Sequence, residues 1–207
     1  MNIARGLALI FLTACLGALS SFFWLWPNGM MAAALAASLS AGTLWLGRKQ
    51  MRTGRPPEKS DVIATGLLTG LIGAGLALLI QSQFPYQRGG REMDFGPPPT
   101  PEWAILLGGV LYGLILHGSY FRRFRSRNPL AAAAGSAALG CGLVRIGVGL
   151  ASGINPIATL FLALLGGVPF ALMWTWANRW LDPAWEVAPP QATPDPRLPS
   201  DDSVTAR

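Results

Sequence analysis

Apolar runs long enough to cross a lipid bilayer recur along most of the chain, and polar clusters separate them. A transmembrane helix needs about 20 consecutive apolar residues, and each run has roughly this length. Because the bilayer core holds no water to satisfy backbone N–H and C=O groups, each run should be helical. The sequence therefore predicts an all-α, polytopic integral membrane protein. Its bundle of six transmembrane helices should span about residues 6–26, 30–47, 62–81, 103–121, 130–151 and 157–177.

Basic side chains are concentrated in the connections after the second and fourth spans. They are Arg48, Lys49, Arg52, Arg55 and Lys59 in the first connection, and Arg122, Arg123, Arg125 and Arg127 in the second. The connections after the first and fifth spans contain no basic residue. Short loops rich in Lys and Arg stay on the cytoplasmic side of a membrane. This predicts a multi-pass protein of a bacterial inner (plasma) membrane with both termini in the cytoplasm, an N-in/C-in topology.

Composition supports a membrane protein and excludes several other classes. Of the 207 residues, 51% are hydrophobic and 13% are charged, whereas soluble domains carry about 25% charged residues. The net charge of +6 belongs mainly to loops, so nucleic acid is not an expected partner. Two cysteines and one histidine are too few for a zinc site or a disulfide framework, and no metal, cofactor or catalytic residue is predicted. Residues 1–181 should form one transmembrane domain, and 182–207, rich in Pro, Asp and Ser, a disordered cytoplasmic tail.

Arg145 lies inside the fifth apolar span and is the first candidate functional residue. It is 15 residues beyond Leu130, or roughly 22 Å along a helix, which on the predicted topology is the outer half of the membrane. A guanidinium at mid-helix costs about 2.5–3.5 kcal/mol to insert, so such residues are functional candidates, and Arg favours anions. The alternative is a side chain that snorkels to the headgroups or pairs with Glu102.

Cys141 and His117 complete the set of candidate substrate-binding residues. Cys141 is one helical turn before Arg145 on the same face, and His117 lies near the cytoplasmic end of the fourth span. The depths of His117 and Arg145 differ by roughly 15 Å at helical rise, so the two should not share one site. The alternatives are an ordinary buried cysteine and a packed histidine.

Spans three and six resemble one another. Residues 62–80 align with 156–174 at a constant offset. Matching positions include Ile63 and Ile157, Thr65 and Thr159, Gly73 and Gly167. With three crossings per half, the halves would form a 3+3 inverted repeat, as in many transporters, although apolar segments also match by chance. Gly-rich spans three, five and six would line the path, with Pro169 interrupting span six. Small residues at four-residue spacing in span five, namely Ala132, Ser136 and Gly140, predict close helix packing.

These patterns favour a small inner-membrane permease, channel or substrate-capturing transporter subunit for a small solute, with Arg145 pointing to an anion. The alternative is a non-catalytic membrane subunit or scaffold of a larger complex, which would bind a membrane-protein partner or a second copy of itself. An intramembrane enzyme centred on Cys141 is the least supported hypothesis. No Asp or Glu lies within a span, which disfavours a proton relay through intramembrane carboxylates. No family is recognised from these residues.

Overall fold

The structure, a computed structural model, describes residues 3–20, 26–83, 101–123, 126 and 128–185. These residues contain helices and turns and no strand. The helices are α1 (Ile3–Ser20), α2 (Trp26–Thr53), α3 (Lys59–Gln83), α4 (Glu102–Arg122), α5 (Pro129–Ala151), α6 (Pro156–Leu162) and α7 (Val168–Leu181). A π-helical segment, Ala163–Gly167, joins α6 to α7 into one continuous rod, and a 3-10 turn, Pro183–Trp185, follows.

Six helical rods within the described residues are long and apolar enough to cross a membrane, the last being Pro156–Leu181. This confirms the predicted all-α class and the six candidate spans. The predicted tail differs at its start, because Asp182 and Ala184 are buried against the bundle. Residues 186–207, the rest of the predicted tail, lie outside the described part of the chain.

Local sequence explains where two of these helices begin. Asn128 and Asn155 each accept a hydrogen bond from a backbone N–H in the first turn of the following helix. In both cases proline is the next residue, Pro129 and Pro156. Asparagine is a strong N-cap, and proline at the first helical position loses no hydrogen bond there. The Asn-Pro pairs therefore fix the starts of α5 and α6.

Helices that are neighbours in sequence pack side by side and antiparallel. Gly17 of α1 lies against Ala32 of α2, and Thr13 of α1 accepts a hydrogen bond from Ser40 of α2. Residue numbers therefore decrease along α1 as they increase along the facing side of α2. The same descending order relates α3 to α2, α4 to α3, α5 to α4, the α6–α7 rod to α5, and that rod to α1. The described helices therefore close into a ring. We name its two ends after the connections they carry: the α1–α2 end (Ser20, Glu102, Ala151) and the α2–α3 end (Thr53, Lys59, Arg123).

The closest helix approach is made by glycines of α3 and α4. Gly66 and Gly70 face Gly109 and Gly113, and a Cβ added at Gly70 would lie 2.5 Å from the Gly109 carbonyl oxygen. Small residues four apart let helix backbones touch in lipid. The prediction had placed this kind of packing in span five, where Gly140 does pack closely, with an added Cβ 2.5 Å from Ile115 Cγ2.

The ring turns large apolar side chains outward and hydroxyls inward. Ile157 and Phe11 are 80% and 72% exposed, which suits a surface that lipid covers. Inside, Trp174 donates through Nε1 to the Ser40 hydroxyl, which in turn donates to Thr13 Oγ1. Trp174 is buried, and its N–H has a hydrogen-bond partner within the bundle.

Candidate functional site

A cavity of about 60 Å³ lies inside the bundle toward the α1–α2 end. Five of the six candidate spans contribute to its wall, and the residues are Gly17, Ser20, Ala32, Leu35, Ala36, Leu39, Tyr112, Arg145, Gly166, Gly167 and Phe170. None of them belongs to α3. The expectation that spans three, five and six together line a path is therefore wrong for span three at this cavity, because α3 packs against α2 and α4 on the other side of the ring.

Glycine backbone forms part of the wall. A Cβ added at Gly17 would lie 2.7 Å from the carbonyl oxygen of Ala32, and one added at Gly166 would lie 3.1 Å from that of Ser20. Helix α1 thus approaches both α2 and the α6–α7 rod through backbone atoms at this level. The cavity is small and lies between closely packed helices.

The π-helical segment brings the sixth span against Arg145. The Val168 N–H donates to the carbonyl of Ala163, five residues back, and Pro169 has no N–H to donate. Gly167 lies on α5 there, with an added Cβ 3.6 Å from Arg145 Cβ. The predicted interruption at Pro169 therefore takes the form of a π-bulge just before it. Such single-turn bulges occur frequently at functional sites.

Arg145 lines the cavity beside Tyr112, another lining residue, and the two side chains interact electrostatically. The two side chains come from adjacent antiparallel helices, α5 and α4. Arg145 as a whole is half-buried. Tyr112 is not among the site residues predicted from the sequence. Its position could have indicated it, because Tyr112 is the tenth residue of the predicted fourth span. In antiparallel neighbouring spans, that position lies at about the same depth as Arg145.

The other two predicted site residues do not line this cavity. Cys141 is fully buried in an apolar cluster with Phe170 and Trp174. His117 is fully buried between α2, α3 and α4, where Nδ1–H donates to the Gly113 carbonyl at 2.7 Å. Its Nε2 has no hydrogen-bond partner among the described residues. The structure therefore does not bring Arg145, Cys141 and His117 together into one site.

A second polar cluster, which the sequence did not reveal, lies at the α2–α3 end. Arg123 Nη2 donates to Gln50 Oε1 at 2.8 Å, to the Tyr120 hydroxyl at 2.7 Å and to the Ala184 carbonyl at 3.1 Å. Tyr120 donates to Asp182 Oδ2 at 2.9 Å. All five residues are at most 4% exposed. We call this set the Arg123 cluster; it ties α2, α4 and the segment after α7 together.

Burial determines the electrostatics of the Arg123 cluster. Burial raises the pKa of Asp182 above its ordinary value, although the Ala184 N–H and the neighbouring Arg123 act in the opposite direction. Burial likewise lowers the pKa of Arg123. The guanidinium carbon lies 3.8 Å from the Tyr120 ring centroid and 4.6 Å from that of Trp185, and such cation–π contacts favour the charged form. Arg123 and Asp182 are thus kept away from water by the side chains packed around them.

No family model, curated protein or solved structure matches this chain. Among the described residues, no group of three His, Cys, Asp or Glu side chains is placed to hold a metal ion. The chemistry that the cavity does offer is a cation and a phenol set in walls of glycine and hydrocarbon. This arrangement can hold a small anionic group by charge and hydrogen bonds.

Proposed function

We propose that this chain is a small permease, channel or substrate-capturing transporter subunit of a bacterial inner membrane, and that its solute is a small anion received at Arg145. The observation that carries the proposal is the cavity that Arg145 and Tyr112 line inside the helix bundle. An ionisable residue at membrane depth is costly and typically marks a solute or ion pathway. The π-bulge at Gly166 and Gly167, on the same cavity wall, supports a functional role for this level of the bundle.

The proposed topology places both termini and the α2–α3 end in the cytoplasm. Basic connections after the second and fourth spans support it through the positive-inside rule, and the antiparallel order of the helices is compatible with it. Reporter tags inserted at Lys59 and at Gly90 test it directly. The proposal expects the Lys59 tag in the cytoplasm and the Gly90 tag outside, and tags in one compartment would contradict it.

We also propose a 3+3 inverted repeat, supported by matched packing in the two halves. Thr65 in α3 packs against Gly42 of the preceding helix, with an added Cβ 3.0 Å from Thr65 Cγ2. Its aligned partner Thr159 packs against Gly149 of the preceding helix, with a distance of 2.6 Å. A second matched set consists of Gly73 with Leu35 in α2 and Gly167 with Cys141 in α5. Aligned residues thus contact equivalent helices, which chance identity between apolar segments does not require.

Uptake measurements test the role of Arg145. Purified protein in liposomes is compared with R145Q, and R52Q serves as a control because Arg52 is exposed at the end of α2. A hydrogen bond to a charged group contributes about 1.5–3 kcal/mol, so R145Q should reduce anion uptake at least about tenfold. R52Q should resemble the wild type. Wild-type uptake by R145Q would remove the anion role of this site, and a stoichiometric partner in gently solubilised membranes would then favour the scaffold alternative.

A further inference from the structure

Two buried polar side chains, Thr43 and Asn178, form a layer of the bundle interior between the cavity and the Arg123 cluster. We infer that this pair, the Asn178 layer, binds water and is part of the route by which solute leaves the cavity toward the α2–α3 end. Trp174 is the barrier between the Asn178 layer and the cavity. The inference rests on the proposed function, because it names the way out of the same cavity.

Contacts between α2 and α7 show the order of the interior along the bundle. Phe170 of α7 forms part of the cavity wall. One turn farther along α7, Trp174 Nε1 donates to the Ser40 hydroxyl of α2 at 3.3 Å. About two turns beyond that, Gly47 of α2 lies against Asp182, with an added Cβ 3.0 Å from Asp182 Oδ1. The Arg123 cluster, which contains Asp182, therefore lies on the same line as the cavity.

The Asn178 layer lies between these two contacts. Asn178 is one helical turn from both Trp174 and Asp182, so the three side chains share one face of α7. Thr43 is one turn after Ser40 on α2 and faces the interior. Both Thr43 and Asn178 are 0% exposed. Because α1 lies between α2 and α7 in the ring, these two helices meet through side chains at this level.

One buried acceptor of the Asn178 layer has no donor. Asn178 Nδ2 donates to the Trp174 carbonyl at 2.8 Å, and Thr43 Oγ1 donates to the Leu39 carbonyl at 3.1 Å. Each of these bonds stays within one helix. Asn178 Oδ1 accepts no hydrogen bond from the described part of the chain. Buried polar atoms are nearly always paired, and water is the usual partner where the protein provides none. Water is therefore the donor expected at Asn178 Oδ1.

Polar side chains inside a membrane bundle either join helices or mark a path for solute. Trp174, Ser40 and Thr13 join three helices through two hydrogen bonds. The bonds of Thr43 and Asn178 join none, so their burial has a desolvation cost without a contact between helices in return. Such a layer is the feature expected of a path. Trp174 is the largest fully buried side chain among the described residues, and it separates this layer from the cavity.

Cysteine labelling of the purified full chain in detergent tests the inference. Cys15 and Cys141 are replaced by alanine, and T43C or A133C then provides the single thiol. Ala133 of α5 is 1% exposed and lies outside the Asn178 layer, so A133C is the matched control. The reagent is methanethiosulfonate ethylammonium, which is soluble in water and reacts with the thiolate. Each single-cysteine protein is made with Trp174 and with W174F, W174L and W174A.

Labelling of T43C should become faster from W174F to W174L to W174A, reaching at least about tenfold the rate with Trp174, because a thiol reacts as the hydrated thiolate. W174F keeps most of the ring volume and should leave T43C slow. A133C should stay slow throughout. If W174L and W174A accelerate both thiols equally, Trp174 is only a core residue and the inference is overturned. Unaltered labelling of T43C in both variants would overturn it as well.

Adding N178L to the W174A protein tests the water site. Leucine binds no water, so T43C labelling should fall back to about the rate with Trp174, and undiminished labelling would overturn the inference. Arg145 has no part in this assay. Failure of the labelling predictions would therefore leave the proposed function standing if R145Q still abolishes uptake, whereas wild-type uptake by R145Q would remove the anion role whatever the labelling of T43C.

Discussion

Replacing Arg123 with methionine should destabilise the protein more than replacing any exposed basic residue. Arg123 is 4% exposed, and its guanidinium bonds to three groups from different parts of the chain, the nearest being Tyr120 at 2.7 Å. Methionine keeps most of the side-chain volume but neither the charge nor the donors. The substitution therefore leaves Asp182 buried without its positive neighbour, and it leaves Gln50 and the Ala184 carbonyl without this donor.

The expected magnitude follows from the contrast with a more exposed pair at the same end of the bundle. Removing one partner of a buried ion pair costs about 3–5 kcal/mol, because the other charge stays buried. This is an upper figure for R123M, since Arg123 and Asp182 are linked through the Tyr120 hydroxyl and not directly. Lys49 and Asp61 form a salt bridge of 2.6 Å, but their side chains are 40% and 18% exposed. Exposed pairs contribute about 0–1 kcal/mol. K49M is therefore the matched control, and it should cost several-fold less than R123M.

Reversible unfolding in mixed dodecylmaltoside and SDS micelles, followed by tryptophan fluorescence, measures these differences in the free energy of unfolding. The double variant R123M/D182N should recover part of the loss, because a neutral amide at position 182 needs no counter-charge. D182N alone should cost less than R123M, since burial already disfavours the carboxylate. The reasoning is refuted if R123M lies within about 1 kcal/mol of the wild type, or if adding D182N to R123M brings no recovery.

Two further predictions concern pH and helix packing. Burial raises the pKa of Asp182 above its ordinary 3.8, so the folded chain binds this proton more tightly than the unfolded chain does. The free energy of unfolding of the wild type, relative to that of D182N, should therefore fall as pH rises through the raised pKa. Unfolding measured from about pH 4 to pH 8 tests this, and a constant or rising difference would contradict it. G113A should destabilise by about 1–3 kcal/mol, because the new Cβ would overlap the Gly66 carbonyl oxygen. G118A, whose Cβ meets nothing within 4 Å, is the control and should be neutral or slightly stabilising in the same unfolding assay.

Sequence was sufficient for the number and approximate bounds of the candidate spans, for a physical reason. Length and hydrophobicity decide whether a segment can be a buried helix in lipid, and both are properties of the segment alone. The interruption of the sixth span could likewise be predicted from Pro169 alone, because proline has no backbone N–H to donate, whatever surrounds the helix. Features that depend on one segment can be predicted in this way without knowledge of its neighbours.

Rotation of each helix about its axis could not be predicted. Gly108 and Gly109 are adjacent in sequence, yet a Cβ at Gly108 would meet nothing within 4 Å, whereas one at Gly109 would lie 2.8 Å from both Ala74 Cβ and the Gly70 carbonyl oxygen. Nothing in a run of small residues says which of them faces a partner. For the same reason the proximity of Arg145 to Tyr112 could not be predicted, because it depends on how α4 and α5 are rotated about their axes.

The two ends of the bundle are built from contrasting chemistry, which bears on how a solute would cross it. At the α1–α2 end, glycine backbone leaves space beside Arg145. At the α2–α3 end, Arg123 and Asp182 are buried between helices, and the Tyr120 hydroxyl links them by hydrogen bonds. A contact made of apolar side chains loses free energy when it opens to water. Buried charged groups regain their hydration when they are exposed to water, which offsets part of the cost of opening. On the proposed topology, any opening of the bundle at its cytoplasmic end would therefore return Arg123 and Asp182 to water.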